Sequence, residues 1–386
     1  MASAERFATV AKRVLCDKDV KAVVVSAGGK IDGEIKVTDE LLSAYNRIKS
    51  GESEEKSLAG FSRRILELGE KIRTKTDVIK ELREIGRGLL KADRPDFILS
   101  RGEYLYSKLF AEYVGMKFID AADVIKFYDD GKLNLGYTEY LADGARKKYG
   151  SFVTGGFYGS TVGGEIRVFP RGGGDMSGAI IARGIKADEY HNFTDVDGIC
   201  RIDPKIAGKE YLIDEISFSE VRRLAEFGAG VLHGDSVLPL FGTGARIIVR
   251  NTFSDSFCGT VVKENAAPTF CAAIRSGYKY VKARSFGGGY GLFAKSGRAV
   301  LIRSDADYAE AVCESDVFSG AETQSERDGI SVLYATEKQG LRAVRRAEDV
   351  GLCVMTASGD GHYAAFPTEK TGETADILKG ILRENF

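Results

Sequence analysis

Glycine most restricts the folds open to this chain, because it gathers where short apolar runs give way to helical patterns. Gly28-Gly29, Gly155-Gly156, Gly163-Gly164, Gly172-Gly173-Gly174 and Gly287-Gly288-Gly289 stand out among 46 glycines in 386 residues, against only 6 prolines. The clusters keep no fixed period, which excludes a collagen-like chain. Backbone free of side chains can come close to a partner, and exposed N–H groups at a strand-to-helix turn bind anions, phosphates most commonly. Ala22 to Val25 reads as a short buried parallel strand, with Ser26 and the first glycine pair in the turn beyond it.

The same alternation continues along the chain. Helical spacing runs over 5–17 and, charge-laced, from about 38 to 92; a helix over 102–114 leads to a strand at 118–119, and a helix-rich piece ends near 148. Phe152-Val153, the Gly155-Gly156 turn and a hairpin through Gly163-Gly164 follow. A helix starts near 176, capped by Asp175 or Ser177. Strands are expected at 191–197 and 247–250, with a helix over 219–227 between them. This order predicts an α/β domain with a largely parallel sheet and its ligand site at the C-terminal ends of the strands. Beyond about 262 the texture changes to two stretches, 268–317 and 329–386, each expected to hold a strand, a helix and further strand-like pieces. The second reads as β-α-β-β-α, a small ferredoxin-like α+β module, with 321–328 as the linker. The predicted domains are 1–262 and 263–386.

Charge and cysteine usage narrow the function. Lys plus Arg is 55 and Asp plus Glu is 56, so the net charge of −1 argues against a general electrostatic partner for nucleic acid or for a membrane surface. No apolar run reaches the ~20 residues that cross a bilayer, and the first residues lack a signal-peptide core, which makes a cytoplasmic address the expectation. Six single cysteines and three dispersed histidines give no metal-ligand or redox spacing, so no protein-borne metal site is expected.

One constellation carries chemistry: Arg171-Gly172-Gly173-Gly174-Asp175, then Thr194-Asp195-Val196-Asp197-Gly198, then Asp203-Pro204-Lys205. Glycines can wrap a phosphate chain, an arginine fork can grip a carboxylate or phosphoryl oxygen, and acidic groups at a strand end can orient an amino group or hold magnesium through water. Phosphoryl transfer uses this inventory of positioning and positive charge.

These segments resemble the amino acid kinases and, within them, the aspartokinases. Val23 to Ala27 with Thr38-Asp39 is similar to the family's VVSA…TD element, and Ser100-Arg101-Gly102-Glu103 to its GE motif. Gly156 to Gly159, Arg171 to Asp175 and Thr194 to Gly198 resemble its GF, RGGSD and TDVDG signatures. Phe227 to His233 and Val249 to Phe253 with Gly259-Thr260 resemble FGAKVLH and VRNTF…GT. The resemblance implies the amino acid kinase fold followed by ACT-type modules. It also implies ATP-dependent phosphorylation of the side-chain carboxylate of L-aspartate to 4-aspartyl phosphate, with Mg2+ on the nucleotide, the first step towards lysine, threonine and methionine. By position, Glu103 would hold the substrate amino group and Arg171 a substrate carboxylate, with Thr38, Gly172, Gly173 and Gly174 completing the pocket. Arg171 and Asp175 would be catalytic, Asp175 by orienting polar neighbours. Ser26, Thr194, Asp195, Cys200, Asp203 and Lys205 would line the nucleotide.

The chain departs from the family pattern at several points. The family opens with a strand ending in a KFGGSS-like turn, and here Ala4 to Phe7 already resembles the helix after it. The expectation is either a late start or a relative without that turn's lysine. Gly174 stands for the serine of RGGSD, Lys205 for an arginine, Cys200 for a tyrosine and Gly230 for a lysine, a set that implies weak ATP binding. Residues 263–386 sit where aspartokinases carry ACT modules that bind lysine or threonine and join subunits. The resemblance therefore implies a homodimer or higher homo-oligomer. The alternative is a catalytically impaired paralogue serving as an amino-acid-binding regulatory or assembly protein.

Overall fold

The computed structural model describes residues 3–29, 35–170, 172–209, 211–228, 231–254, 258–284, 299–304, 308–314, 323–348, 354–358 and 361–385. The chain divides into two compact units, Met1–Asp195 with Asp235–Phe257, and Val196–Gly234 with Cys258–Phe386.

The first unit opens with α1 (Ala4–Cys16), β1 (Ala22–Val25), α2 (Val37–Lys49), α3 (Glu54–Ile72) and α4 (Val78–Lys91), the helical layer that the spacing over 38–92 predicts. The short α5 (Asp96–Leu99) runs into α6 (Arg101–Val114), and β2 (Lys117–Phe118), α7 (Ala121–Val124), β3 (Lys126–Phe127) and α8 (Leu135–Tyr149) follow. Then come β4 (Phe152–Gly155), β5 (Tyr158–Thr161), β6 (Ile166–Val168), α9 (Gly173–Gly184) and β7 (Glu189–Thr194). β4 lies between β1 and β2, parallel to both, with Ala22 opposite Phe152 and Val25 opposite Gly155. β5 pairs in parallel with β3 and, through the hairpin at Gly163-Gly164, antiparallel with β6. After a stretch of the second unit containing α10 (Pro204–Ala207), β8 (Glu215–Ser217) and α11 (Phe218–Glu226), the chain re-enters the first unit. There β9 (Arg246–Asn251) pairs in parallel with β7.

Alternation along β4 sorts the two cores of this unit. Val153 belongs with α1–α6, beside Phe7, Leu41, Phe61, Ile65 and Phe110, whereas Phe152 packs with α7–α9 beside Ile125, Ile180 and Ile181. Phe7 meets Phe110 edge-on at 5.2 Å, so truncating Phe110 to alanine would cost about 3–5 kcal/mol. Arg64 on α3 is nearly buried and ties the β1–α2 connection together. It pairs with Glu40 at 3.2 Å and donates to the carbonyls of Ile35 at 2.9 Å and Gly29 at 3.3 Å.

In the second unit β8 pairs in parallel with β10 (Thr260–Lys263). The remainder builds a six-stranded antiparallel sheet from β11 (Ala272–Arg284), β12 (Ala299–Ser304), β13 (Tyr308–Glu314), β14 (Thr323–Ala335), β15 (Val354–Ser358) and β16 (Gly361–Pro367). Its order is β12-β13-β11-β14-β16-β15. The helices Glu337–Glu348 and Thr371–Asn385 complete the expected β-α-β-β-α order over 329–386. Within 268–317 the described elements are strands; 285–298, 305–307 and 315–317, where the expected helix has no described counterpart, lie outside the described residues. The linker expected at 321–328 is corrected: from Thr323 onward it is strand, with Arg327 opposite Tyr280 and Ser325 opposite Lys282. Its polar residues resemble a connection, but antiparallel pairing with β11 engages the backbone there regardless of composition. Among the described residues no helix is long and apolar enough to cross a membrane.

Candidate functional site

Four glycine-bearing segments of the first unit converge at the C-terminal ends of β1 and β4. The Gly156 N–H donates to the Val25 carbonyl at 2.9 Å, which brings the two strand exits together. A β-carbon on Gly156 would stand 3.2 Å from Gly174 Cα, and one on Gly174 2.9 Å from Ser26 Oγ. A β-carbon on Gly102 would stand 2.9 Å from both Ala27 Cβ and Val37 Cγ1, and one on Gly155 3.3 Å from the Glu103 carbonyl oxygen. The missing side chains are what let residues 26–28, 102–103, 155–157 and 172–174 approach one another. Thr38, half-buried at the start of α2, follows Val37 into this neighbourhood.

The entry to α9 is built around two left-handed residues. Gly172 (φ 60°) is the helix N-cap and supplies no side-chain cap. This corrects the expectation that Asp175 or Ser177 caps the helix. Ser177 Oγ instead donates to the Gly173 carbonyl at 2.6 Å and accepts from the Phe157 N–H at 2.9 Å. Phe157 has φ 73°, a conformation costing roughly 1–2 kcal/mol in a residue with a side chain. Besides the bond to Ser177, its N–H donates to the Gly173 carbonyl at 3.2 Å and its carbonyl accepts from the Phe169 N–H at 2.8 Å, which hold it there. The first amides of any helix have no carbonyl four residues earlier within the helix to donate to, and helix N-termini attract anions. Arg171 lies outside the described residues.

Glu103 is the unusual group. It sits in the first turn of α6, only 6% exposed, and its Oε2 has no hydrogen-bond partner. Burial pushes its carboxyl up to about 7, against the opposing pull of its own and Ala27's main-chain N–H and of the Arg101 charge. A buried carboxylate oxygen left unpaired in the protein is a costly group, of the kind found where a ligand completes the bonding.

Asp175 on α9 is oriented by a strand the sequence did not connect to it. Asn192 Nδ2 on β7 donates to Asp175 Oδ1 at 2.9 Å and to the Tyr190 hydroxyl at 3.1 Å. Burial, reinforced by the Asp175 charge, pushes the Tyr190 phenol up, so it remains neutral. Further along, the Thr194 carbonyl accepts from both the N–H and the Oγ1 of Thr252 at 2.8 Å, and Thr194 Oγ1 donates to Asp195 Oδ1 at 3.3 Å. Three expected nucleotide residues belong to the second unit. Cys200 is a half-buried cysteine outside any disulfide whose main chain forms an isolated antiparallel bridge with Leu212, Asp203 caps α10 by accepting from the Lys205 N–H at 2.8 Å, and Lys205 is exposed. The structure thus groups Ser26, Thr38, Glu103 and Gly172–Gly174 within one unit. Asn192, which holds Asp175, and the left-handed Phe157, which sets the turn before α9, are structural supports that residue type and spacing did not single out.

Comparisons with known proteins bear on the family and the fold. The sequence profile of the amino acid kinase family matches residues 1–251. Aspartokinase 3 of Bacillus subtilis (strain 168) is 30% identical over 279 residues, 68% of this chain and 61% of that protein. The lysine-sensitive aspartokinase 3 of Escherichia coli (strain K12) is 30% identical over 285 residues, 67% of this chain and 61% of that protein. The chain thus spans about three-fifths of the length of these two curated relatives. Among solved structures, the aspartate kinase of Clostridium acetobutylicum superposes with a TM-score of 0.84 at 23% identity, over 100% of this chain and 97% of that one. E. coli aspartokinase III in complex with aspartate and ADP gives 0.78 at 20% identity, over 99% and 97%. With a profile covering most of the chain, relatives at 30% identity and the same fold over its whole length, the chain belongs to the amino acid kinase family.

Proposed function

We propose that this protein is an aspartate kinase, transferring the terminal phosphoryl group of ATP to the side-chain carboxylate of L-aspartate to give 4-aspartyl phosphate. The observation that carries the reading is the buried, unpartnered Oε2 of Glu103 beside the converging glycine turns. A substrate ammonium would supply the missing partner, and the N-terminus of α9 suits the anionic end of the substrate or a phosphoryl oxygen. In this reading Glu103 holds the amino group, Arg171 a carboxylate, and Thr38 with Gly172, Gly173 and Gly174 shapes the pocket. Asp175, fixed by Asn192, orients the polar groups beside the transferring phosphoryl. Ser26, Thr194, Asp195, Cys200, Asp203 and Lys205 are the proposed nucleotide contacts.

The E. coli relative solved with aspartate and ADP supports these two ligands, and the same enzyme solved with lysine and aspartate supports lysine as an effector of the 263–386 region. Magnesium would enter with the nucleotide and neutralise phosphate charge. Among the described residues no group of three or more His, Cys, Asp or Glu stands together to hold an ion without it. The test is ATP-dependent aspartyl hydroxamate formation by the purified protein. Turnover that requires both ATP and L-aspartate and disappears in Glu103→Gln is expected. Absence of aspartate-dependent turnover, with no aspartate binding by calorimetry, would overturn the proposal.

A further inference from the structure

Cys200, Asp203 and Lys205 share one short segment of the second unit, and the residues between them hold that segment to the start of β11. Residues 199–201 and 211–213 form a small antiparallel clip. The Ile213 N–H donates to the Ile199 carbonyl and the Arg201 N–H to the Tyr211 carbonyl, both at 2.9 Å. On its other side the Arg201 carbonyl accepts from the Ala272 N–H at 2.8 Å. Ile202 is 2% exposed and shares a core with Phe270, Leu333, Phe366 and Leu378, against which Ile206 of α10 also packs. Asp203 then ties down the Lys205 main chain, whose N–H it accepts at 2.8 Å.

The half-buried Arg201 side chain adds a second tie. Its Nη1 donates to Thr269 Oγ1 at 2.7 Å and to the Phe270 carbonyl at 3.1 Å. The receiving end is itself fixed. The Thr269 N–H donates to Glu220 Oε1 at 3.3 Å, and its carbonyl accepts from Thr336 Oγ1 at 2.6 Å. The Cys271 N–H donates to the same Thr336 hydroxyl at 2.9 Å. Burial of Ile202 holds the segment down without setting a direction, because the hydrophobic effect is non-directional. Hydrogen bonds from a planar guanidinium do set one, and its rigid fork can serve two acceptors at once where an apolar side chain of similar length serves none. Arg201 therefore fixes how the residues on either side of it, Cys200 and Asp203 to Lys205, stand on the clip.

We propose that Arg201 is a positioning residue for nucleotide binding: its guanidinium, bonded to Thr269 and Phe270, holds the Cys200–Lys205 segment in place for the nucleotide. This rests on the nucleotide contacts given under the proposed function. The experiment is calorimetric binding of ADP with Mg2+, and separately of L-aspartate, to the protein and to Arg201→Met, Thr269→Val, the double variant and Lys205→Ala. Arg201→Met is expected to weaken ADP binding about three- to tenfold and Thr269→Val by less, each leaving aspartate binding within about twofold. The double variant is expected to match Arg201→Met, because both substitutions break the same bond. If Arg201→Met does not fold, Thr269→Val, which removes one acceptor and keeps the arginine, carries the test. Unchanged ADP binding by Arg201→Met, equal weakening of both ligands, or effects that multiply in the double variant, while Lys205→Ala weakens ADP alone, would overturn the inference and leave the function standing. Absence of ADP binding by the unmodified protein, or unchanged ADP binding by Lys205→Ala, would overturn the nucleotide reading of this segment first, and this inference with it.

Discussion

Replacing Glu103 with glutamine should make the protein more stable at alkaline pH while abolishing its activity. The folded carboxyl is pushed up to about 7 from an ordinary value of 4.5, chiefly by burial. Between those two values the folded state binds a proton that the unfolded chain has released. Stability therefore falls as pH rises through that window, and it levels off above about 7. A difference of that size corresponds to about 3 kcal/mol. Glutamine has the same shape and does not titrate, so the variant escapes the loss, apart from a pH-independent cost of about 1 kcal/mol for its unpaired amide. Urea unfolding of both proteins at about pH 4.5, 6 and 8 should show the stability difference shifting towards the variant by about 3 kcal/mol across the series. A difference that stays constant with pH, or moves against the variant, would refute the assignment of a strained, substrate-awaiting carboxylate.

Other positions offer independent checks. Gly173→Ala would place a β-carbon 2.6 Å from Phe157 Cδ2 and 2.9 Å from Phe157 Cα, so it should cost about 1–3 kcal/mol in urea unfolding and disturb the left-handed turn that sets the α9 amides. Glu112 accepts from Thr74 Oγ1, Thr76 Oγ1 and the main-chain N–H groups of Lys75 and Thr76. Burial pushes its carboxyl up, but these bonds outweigh it and hold the carboxyl below the usual range. Its contribution is thus present at neutral pH and lost as pH falls through the lowered value, and Glu112→Ala should destabilise at pH 7 by about 1–3 kcal/mol and progressively less in acid. Asn192→Leu should leave secondary structure by circular dichroism intact yet lower turnover, because it frees Asp175 from its donor. In the second unit, Ser217→Ala removes a reciprocal capping box with Glu220 and should cost about 1 kcal/mol by thermal or urea unfolding.

Much of the architecture is legible in local pattern. Four apolar β-branched or small residues at 22–25 flanked by polar turns mark a short strand, half-buried except at Val25, and the 3.6-residue spacing over 38–92 marked three helices of the helical layer. The glycine clusters at 28–29, 155–156 and 172–174 marked turns that meet at the site, where a β-carbon at Gly28, Gly155, Gly156, Gly173 or Gly174 would crowd a neighbouring segment. Local pattern was misleading where the partner is remote. Thr323–Asp328 looks like a connection, and only its pairing with β11 makes it strand. Asp175 looks like a helix cap, and only β7 passing alongside turns it towards Asn192.

By itself, the order of residues determined the element types, the places where backbone can approach backbone, and the family-like arrangement of glycines, acids and arginines. The tertiary structure decided the electrostatic state of those residues. Nothing in the string Ser100-Arg101-Gly102-Glu103 says that its carboxylate is buried with an oxygen unpaired, or that its guanidinium is closed in by rings from positions 97, 104 and 158. Periodicity and turn chemistry are properties of neighbouring residues, whereas desolvation and the reach of a charge depend on every segment that folds around the group.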